Sequence, residues 1–502
     1  MEPTQELAQL KEILNELSDL QAILGLLGWD QQTYMPPGGT KGRGHQRGTL
    51  TRLIHLKFTA PEVGQLLAGL QPYVASLDAD SDDARLVKVI SRRYHKLTKV
   101  PADLVAEIAR TAGEAHLAWE EARARSDFAH FRPHLERIVD LRRQYASHFA
   151  PFDHIYDPLL DDFEPGLKTA EVQAIFAELR PQQVALIQAI SARPQLDDAF
   201  LHQPFDVQKQ WDFGVEVITQ FGYDWKRGRQ DKAAHPFTQG LGSGDVRITT
   251  RLFPDYFASA LFSTMHEAGH ALYGQGIDPG LDRLLLGRGA SLAVHESQSR
   301  SYENLVGRSR PFWQHFYPRL QEYFPAELGN VDLEQFYRGI NKVERSLIRV
   351  EADEATYNLH IMLRLEIEIA LIEGSLQVKD LPEAWNSAMQ ATLGLTPPND
   401  AQGVLQDVHW AGGMLGYFST YALGNLISAQ LWECVHQDIP DLPEQIGRGE
   451  FAPLTGWMRE KIHRHGAKFE PQELVERITG SKINPAAYMR YLKQKYGEIY
   501  AV

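Results

Sequence analysis

The stretch His266-Glu267-Ala268-Gly269-His270 is the most informative part of this 502-residue chain. It matches the pattern H-E-x-x-H, which on an α-helix places the two histidines on one face, one turn apart. Both imidazoles can then bind one metal ion, and Glu267 lies beside them as a base for water. A chain of this length contains the pattern by chance about one or two times in a hundred. The stretch therefore predicts a zinc site with His266 and His270 as ligands and Glu267 as general base.

The residues around this stretch favour a helix over 255–275. Asp255 follows Pro254 as a candidate N-cap, and apolar residues recur after it at near-helical spacing. Gly274 and Gly276 mark the end of the helix. The motif is therefore expected on a helix, as its metal geometry requires.

A zinc hydrolase needs a third protein ligand and one open position for water. The metzincin pattern H-E-x-x-H-x-x-G-x-x-H fails, because Tyr273 and Gly276 stand where it requires glycine and histidine. The other arrangement takes a glutamate from a following helix, and Glu296 is the candidate. Two alternatives stay open, namely Glu296 as a solvated surface residue and the adjacent His295 as ligand in its place.

The segment around Glu296 is predicted as a helix over 290–306 that ends near Gly307. On such a helix Glu296 shares one face with Leu292, Ser299 and Glu303.

Several further motifs make the sequence resemble the carboxypeptidase Taq family of metallocarboxypeptidases. Trp29-Asp30-Gln31 and Met35-Pro36 near the N-terminus also look like that family. Four further patterns of that family follow in order. D-x-R-x-T occurs at Asp245-Val246-Arg247-Ile248-Thr249, and H-E-S-Q occurs at His295-Glu296-Ser297-Gln298. I-R-x-x-A-D occurs at Ile348-Arg349-Val350-Glu351-Ala352-Asp353, and G-x-x-Q-D-x-H-W occurs at Gly403-Val404-Leu405-Gln406-Asp407-Val408-His409-Trp410.

The resemblance implies an all-α fold with a small β element near the active site. Two helical lobes would flank a deep groove, similar to neurolysin and angiotensin-converting enzyme. We expect one catalytic unit over residues 1–502, since the sequence has no repeat, low-complexity run or long Gly/Ser linker. A homodimer is implied by the family analogy alone.

Helical periodicity agrees with that fold over most of the chain. Strand signal is confined to the alternating residues 246–250, preceded across three glycines by His235-Pro236-Phe237, which suggests a small hairpin or short sheet. Apolar residues recur at i, i+3 and i+4 in the ranges 4–25, 82–98, 101–126, 168–196, 255–275, 290–306, 351–373, 379–394 and 413–435.

The composition excludes several classes of protein. A hydrophobic content of 43% is enough for a large core, so disorder is excluded for most of the chain. The net charge of −14, from 51 basic and 65 acidic residues, argues against nucleic-acid binding, which needs clustered Lys and Arg. The negative net charge needs no explanation beyond keeping the protein soluble.

A cytoplasmic location is expected from the cysteine content and the N-terminal residues. The single cysteine, Cys434, permits no disulfide within the chain and no cysteine-based zinc site. The N-terminal residues 1–17 are acidic and amphipathic, unlike a signal peptide. Residues 409–432 lack Asp, Glu, Lys and Arg, yet four glycines and several polar residues favour a buried loop and helix beside the active site over a membrane span.

The remaining catalytic roles depend on the C-terminal third. Peptide hydrolysis needs a donor for the oxyanion of its tetrahedral intermediate. Related zinc peptidases use a histidine and a tyrosine spaced much like His409 and Tyr421, so we assign Tyr421 the oxyanion role and His409 a substrate contact. Tyr417 is the alternative oxyanion donor, and a core aromatic with a hydrogen-bonded hydroxyl is the structural alternative for each tyrosine.

Recognition of a free C-terminal carboxylate calls for arginine, whose planar fork matches a carboxylate. The resemblance marks Arg349 as this anchor with Gln406 nearby, and Arg247 is the second choice. The resemblance also places His235 in the substrate groove, although from the residues alone it is a loop histidine. The two aspartates Asp353 and Asp407 are expected either to orient the metal-bound imidazoles through hydrogen bonds or to cap helices.

The sequence thus predicts a zinc-dependent carboxypeptidase, with Co²⁺ as a possible metal, that removes single C-terminal residues from peptides with broad side-chain tolerance. The nearer alternative is an endo-oligopeptidase or dipeptidyl carboxypeptidase with the same zinc chemistry. The other class is a non-catalytic protein with structural zinc or no metal. Glu267 argues against that class, because a structural site needs no general base.

Overall fold

The computed structural model describes residues 2–502, and helices dominate it. The helices of the first half are α1 Pro3–Thr33, α2 Thr40–Phe58, α3 Pro61–Val74, α4 Asp82–Lys99, α5 Ala102–Arg125, α6 Phe128–Ser147, α7 Asp157–Leu160, α8 Thr169–Ser191 and α9 Val207–Gln220. The helices of the second half are α10 Phe257–Gly276, α11 Leu292–Arg300, α12 Arg310–Tyr323, α13 Pro325–Leu328, α14 Leu333–Ile340, α15 Tyr357–Glu373, α16 Leu381–Leu393, α17 Ser419–Asp438, α18 Leu442–Gly447, α19 Ala452–Lys461, α20 Pro471–Thr479 and α21 Ala486–Tyr500.

A three-stranded sheet lies beside the central helix α10. Its strands are β1 Gln230–Lys232, β2 Thr238–Gly240 and β3 Val246–Thr250, in the order β1-β3-β2. β2 pairs with β3 in antiparallel register, with Gly240 opposite Val246, so the expected hairpin forms, but its first strand begins at Thr238, after the predicted residues 235–237. β1 was not predicted, and it pairs with β3 in parallel register. The mostly helical fold with a small β element is confirmed.

Every range with predicted helical periodicity carries a helix, with differences at the ends. The helix expected from 351 begins at Tyr357, because the Asp353 carboxylate accepts hydrogen bonds from the backbone of Ala355 and Thr356 and turns the chain there. Residues 413–418 form turns instead of helix, with Gly413 and Gly416 at positive φ. The proposed N-cap is wrong, since Tyr256 precedes α10 and its side chain makes no capping bond.

Some helices are not marked by periodicity because their apolar faces are weak. α2 is an example: only Phe58 among its residues is buried, and Gly42, Gly44 and Gly48 lie within it. Such a helix is held by its neighbours, here α1, more than by its own pattern. Among residues 2–502 no helix combines the length and apolar character that a membrane crossing requires. The segment 409–432 is a largely buried stretch of turns that leads into α17, as expected.

The centre of the molecule is a set of closely packed helices. α11 packs against α10 on one side and α17 on the other, and β3 packs along α10. α11 continues beyond Arg300 as a π-helical segment, Ser301–Val306, before Gly307 ends it. Two buried glycines let the backbones approach. A Cβ on Gly269 of α10 would lie 2.5 Å from the Gln298 carbonyl oxygen, and one on Gly424 of α17 would lie 2.6 Å from Cγ of Glu296.

Two buried histidines make the fold sensitive to acid. Burial, and then the charge of Arg459, lowers the pKa of His463 to about 3, while burial and Arg364 hold the pKa of His360 well below its usual range. At these two positions the unfolded chain therefore binds more protons below pH 6.5, the usual histidine value, and their contribution to stability falls with pH from there towards about 3. We expect the free energy of unfolding to drop by roughly 1.4 kcal/mol per pH unit for each of the two histidines.

Chemical denaturation at several pH values between 6.5 and 4.5 measures this slope. His463→Gln removes one titrating group and is expected to lower the slope by roughly 1.4 kcal/mol per pH unit relative to the wild type. Equal slopes for the wild type and this variant would show that His463 is not held neutral.

Candidate active site

Three side chains meet between α10 and α11. Nε2 of His266 lies 3.6 Å from Oε2 of Glu296, and Nε2 of His270 lies 3.5 Å from the same oxygen. One ligand atom from each side chain lies within 4.8 Å of the other two. Ligands about 2.0–2.1 Å from a tetrahedral metal lie about 3.4 Å apart, so this set fits a divalent cation of the zinc class. The expected third ligand, Glu296, is brought to the two histidines.

The other ring nitrogens of the two histidines are held by further side chains. Nδ1 of His266 is 2.8 Å from Oε2 of Glu303, and Nδ1 of His270 is 2.6 Å from Nδ1 of His295. These contacts orient both rings so that Nε2 faces Glu296, as outer partners of metal ligands do. His295, the alternative ligand, therefore contacts the far side of His270.

Asp353 and Asp407 do not orient the metal-site imidazoles, and that expectation is wrong. The Asp353 carboxylate accepts hydrogen bonds from the backbone of Glu344, Ala355 and Thr356, so the alternative capping role is the observed one. Asp407 instead forms ion pairs with two arginines. The carboxylate that orients His266 comes from Glu303, on the helical face that the sequence assigned to Glu296.

Arg300 balances the acidic side of the site. Its Nε donates to Oε1 of Glu296 at 2.7 Å and its Nη1 donates to Oε2 of Glu303 at 3.0 Å. Burial alone would raise the pKa of Glu296, but the charges of Arg300 and His266 hold it well below its usual range. Burial also disfavours the charged form of His266, yet Glu296 and Glu303 raise its pKa to about 9. The two carboxylates therefore stay ionised and attract a cation.

Glu267 lies beside the ligand set and is fixed by the β-sheet. Oγ1 of Thr238, in β2, is 2.7 Å from Oε2 of Glu267 and 3.0 Å from its backbone oxygen. The side chain is largely buried. The small sheet therefore holds the carboxylate that the sequence predicts as general base, on the same helix as two candidate metal ligands.

Replacing Thr238 by valine keeps the shape of the side chain and removes the hydroxyl. We expect kcat for peptide hydrolysis to fall by about tenfold with KM nearly unchanged, because a hydrogen bond to a charged group contributes roughly 1.5–3 kcal/mol. Steady-state kinetics measures the effect. Thr98→Val is a matched control, since Oγ1 of Thr98 bonds only to helix carbonyls of α4. Equal kinetics for the Thr238 variant and this control would contradict the positioning role.

The C-terminal aromatic residues lie close to one another. The hydroxyl of Tyr421 is 3.2 Å from Nε2 of His409, and the rings of Tyr417 and Tyr421 are 5.4 Å apart. Burial first, and the Glu296 charge among other causes, raises the pKa of both tyrosines. Burial lowers the pKa of His409 to about 4. At neutral pH the two phenols can donate hydrogen bonds, and His409 is uncharged.

Arg349 lies in a buried polar network below these aromatics. Its guanidinium donates to the Asp407 carboxylate through Nε and Nη2 and to the Tyr357 hydroxyl through Nη1, and it sits 4.9 Å from the centre of the Tyr421 ring. Two of its five N–H donors have no acceptor among residues 2–502. The Gln406 side chain accepts from the backbone N–H of Arg349. Arg349 and Gln406, the pair predicted from the sequence, are therefore adjacent, and Gln406 supports the backbone of Arg349.

The two groove residues predicted from the hairpin are in different surroundings. Arg247, on β3, forms a two-point ion pair with Asp245 and stacks 4.5 Å from the centre of the Trp29 ring. His235 is exposed in the segment between β1 and β2. Neither side chain is hydrogen-bonded or ion-paired to the metal-ligand set in residues 2–502, although β2 itself contacts Glu267 through Thr238.

The sequence motifs do not mark several residues that shape the candidate site. Thr238 belongs to the same hairpin as His235, but no motif marks its hydroxyl. Glu303 shares a helical face with Glu296, and this spacing could have identified it as a partner for a ligand histidine. Gly269 stands inside the H-E-x-x-H motif at a variable position, so only the close approach of α11 reveals its importance.

Comparisons with known proteins agree with this geometry. A family model described as carboxypeptidase Taq (M32) metallopeptidase matches residues 9–496. Thermostable carboxypeptidase 1 of Thermus thermophilus is 43% identical over 512 residues, covering 100% of both chains. Carboxypeptidase 1 of Bacillus subtilis is 38% identical over 490 residues, covering 97% of both chains.

Solved structures show the same relationship over the whole chain. The crystal structure of the M32 carboxypeptidase from Deinococcus radiodurans R1 matches with a TM-score of 0.96 at 42% identity, covering 99% of this chain and 100% of that chain. The match of the family model, the relatives and the fold extends over nearly every residue. The chain therefore belongs to the carboxypeptidase Taq (M32) metallopeptidase family.

Proposed function

We propose that the protein is a metal-dependent carboxypeptidase that removes single C-terminal residues from peptides and tolerates many side chains. The observation that carries the proposal is the convergence of His266, His270 and Glu296 on one point, with Glu267 beside them. A structural metal site would need no base at this position. The names of the relatives and of the family support the same reaction class.

The ligand set suits zinc, and cobalt is accepted by the same nitrogen and oxygen donors. A divalent cation bound there supplies the Lewis acidity that polarises a peptide carbonyl and makes water more acidic. Glu303 and His295 keep the two imidazoles facing the cation through contacts of 2.8 and 2.6 Å. Arg300 fixes one oxygen of Glu296 and leaves the other for the metal.

Glu267 is the general base and then the general acid in this proposal. Its carboxylate accepts a proton from the attacking water and later delivers it to the departing amine. The hydrogen bond from Thr238 keeps one carboxylate oxygen fixed, so the other faces the reaction. Holding the base in place in advance lowers the entropic cost of the step.

Tyr421 donates a hydrogen bond to the oxyanion, and His409 contacts the substrate and the Tyr421 hydroxyl. Their separation of 3.2 Å and the buried surroundings support this pairing. Tyr417 is the alternative donor, because its ring is within 5.4 Å of the Tyr421 ring and burial keeps its phenol protonated. Comparing Tyr421→Phe with Tyr417→Phe separates the two roles: the oxyanion donor is the one whose loss lowers kcat and leaves KM nearly unchanged.

The substrate's C-terminal carboxylate binds Arg349, with Arg247 as the second choice. Arg349 lies beside Tyr421 and retains two free N–H donors, enough for one carboxylate. Gln406 supports the backbone of Arg349, and His235 lines the groove outside the site. One catalytic unit over residues 1–502, a cytoplasmic location and a homodimer complete the proposal.

A peptide with a free C-terminus and its amidated counterpart test the proposed specificity. The zinc-loaded protein is incubated with each, and the products are read by mass over time. We expect a ladder that shortens by one residue from the C-terminal end of the free peptide, and most activity lost on the amide. Internal cuts in the amidated peptide would favour an endo-oligopeptidase, and release of dipeptides would favour a dipeptidyl carboxypeptidase.

A further inference from the structure

A cavity of about 650 Å³ lies between α4 and the segment that leads into α11. This volume is in the range of sites for small ligands. Its wall carries seven cationic side chains and only three carboxylates, in a chain whose net charge is −14. The wall therefore carries an excess of positive charge although the whole chain is acidic.

Four of the seven cations are neutralised. Arg92 and Lys96 contact Asp161, and Lys96 also contacts Asp162, within the cavity wall. The other two, Arg85 and Lys468, pair with carboxylates outside the wall, on Asp80, Glu473 and Asp82. The remaining carboxylate, Glu470, lies 3.9 Å from Arg92. The acidic groups of this region are therefore already paired.

Three cations of the cavity wall form no ion pair within the part of the chain that the structure describes, although the charge of Lys88 reaches Glu473. Among residues 2–502, no carboxylate forms an ion pair with Lys88, Arg93 or Arg288. Arg93 makes no hydrogen bond to these residues and lies 5.3 Å from the centre of the Phe58 ring. Arg288 donates only to the Leu285 carbonyl and to Oε1 of Gln21, at 3.0 and 3.1 Å. Most N–H donors of the two arginines are thus free for a ligand.

The two arginines are close enough to affect each other. Arg93 and Arg288 line the same cavity, and both are cations at neutral pH. Like charges placed together without a partner are costly, and an anion between them relieves the cost. Guanidinium groups bind oxyanions through paired hydrogen bonds, so an oxyanion is the expected class of ligand.

We propose that this cavity, through Lys88, Arg93 and Arg288, is a binding site for a multiply charged oxyanion. Its ligand is either a free anion of the phosphate class or a group of carboxylates on a bound peptide. The second source rests on the proposed peptidase function, and the first does not.

The cavity adjoins the metal site through His295 and the hairpin. His295 lines the cavity, and its Nδ1 is 2.6 Å from Nδ1 of His270. Gly240 and Gly242, at the end of β2 and in the turn beyond it, line the same wall. β2 therefore runs from the residue that fixes Glu267, Thr238, to the wall that carries the cations, at Gly240.

Two measurements on the zinc-loaded protein test the proposal. In the first, inorganic phosphate is titrated by calorimetry at low ionic strength. In the second, kcat/KM is compared for two peptides that differ only by Glu or Gln upstream of the C-terminal residue. Both are repeated with the double variant Arg93→Gln/Arg288→Gln. The matched control, Arg52→Gln/Arg110→Gln, removes the same charge from exposed positions.

We expect saturable phosphate binding, a preference of at least fivefold for the Glu peptide, or both, in the wild type and the control. In the Arg93/Arg288 variant the phosphate affinity should fall at least tenfold and the Glu preference should disappear, and the arm that responds identifies the source. Lys88→Gln, at an exposed position, should weaken the effect by a smaller factor even if the double variant folds poorly. No phosphate binding together with no Glu preference, or effects that persist unchanged in the arginine variant, would overturn the proposal. If the protein has no peptidase activity, the calorimetric titration with phosphate still tests the proposal.

Discussion

Replacing Glu267 by glutamine is expected to abolish turnover while the metal stays bound. The amide keeps the size of the side chain and can still contact Thr238, but it accepts no proton from water. General base catalysis contributes typically about 10²–10⁴-fold, and the same group also serves as the acid, so we expect kcat to fall by about 10³-fold or more. Steady-state kinetics with a short peptide measures the loss.

Metal analysis of the same protein is the control for this variant. Glu267 is not part of the ligand set, so the variant should hold as much zinc as the wild type and melt at a similar temperature. A variant that retains most of its turnover would remove Glu267 from the mechanism. A variant that loses its zinc would instead make Glu267 a ligand.

Replacing Gly269 by alanine is expected to damage both the fold and the metal site. A Cβ there would lie 2.5 Å from the Gln298 carbonyl oxygen and 2.7 Å from Cα of Ser299. Both obstacles are backbone atoms of α11, so α10 and α11 must move apart. Overpacking of this kind costs roughly 1–3 kcal/mol of stability, and a displacement of about 1 Å at a catalytic site can cost about 100-fold in rate.

Gly113→Ala is the matched control for this substitution. Gly113 lies in α5, and a methyl group added there would have no heavy atom of another residue within 4 Å, its own helix backbone aside. Alanine should therefore stabilise this helix by about 0.5–1 kcal/mol. Denaturation curves, zinc affinity and kcat compare the two variants. A Gly269 variant with zinc affinity and turnover like those of the control would show that the helices need not be this close.

The helix that carries the H-E-x-x-H motif was predictable from sequence because metal binding by two histidines depends on local spacing. His266 and His270 must share a helical face, and a following helix was the expected source of Glu296. The fold class followed from periodicity in long segments and from the family resemblance. Long-range partners were not predictable in the same way. His295 was weighed as a ligand, yet it contacts Nδ1 of His270 from behind.

A single sequence carries little information about contacts that depend on how two structural elements are placed relative to each other. β1 has three residues, and its pairing with β3 is parallel, so no hairpin signal marks it. The Asp407 ion pairs with Arg349 and Arg364 join segments far apart in the chain. The sequence therefore suggested a contact between Asp407 and the metal-bound imidazoles that the structure does not have. The helix start at Tyr357 depends on the local capping by Asp353, which competes with periodicity.

Binding of one divalent cation by His266, His270 and Glu296 is the claim on which the proposed function depends. Anomalous diffraction from crystals of the zinc-loaded protein, recorded at the zinc absorption edge, tests it most directly. We predict one strong peak per chain, about 2 Å from Nε2 of each histidine and from Oε2 of Glu296, and its loss in Glu296→Gln. A peak elsewhere, or a protein that takes up no transition metal, would contradict the claim.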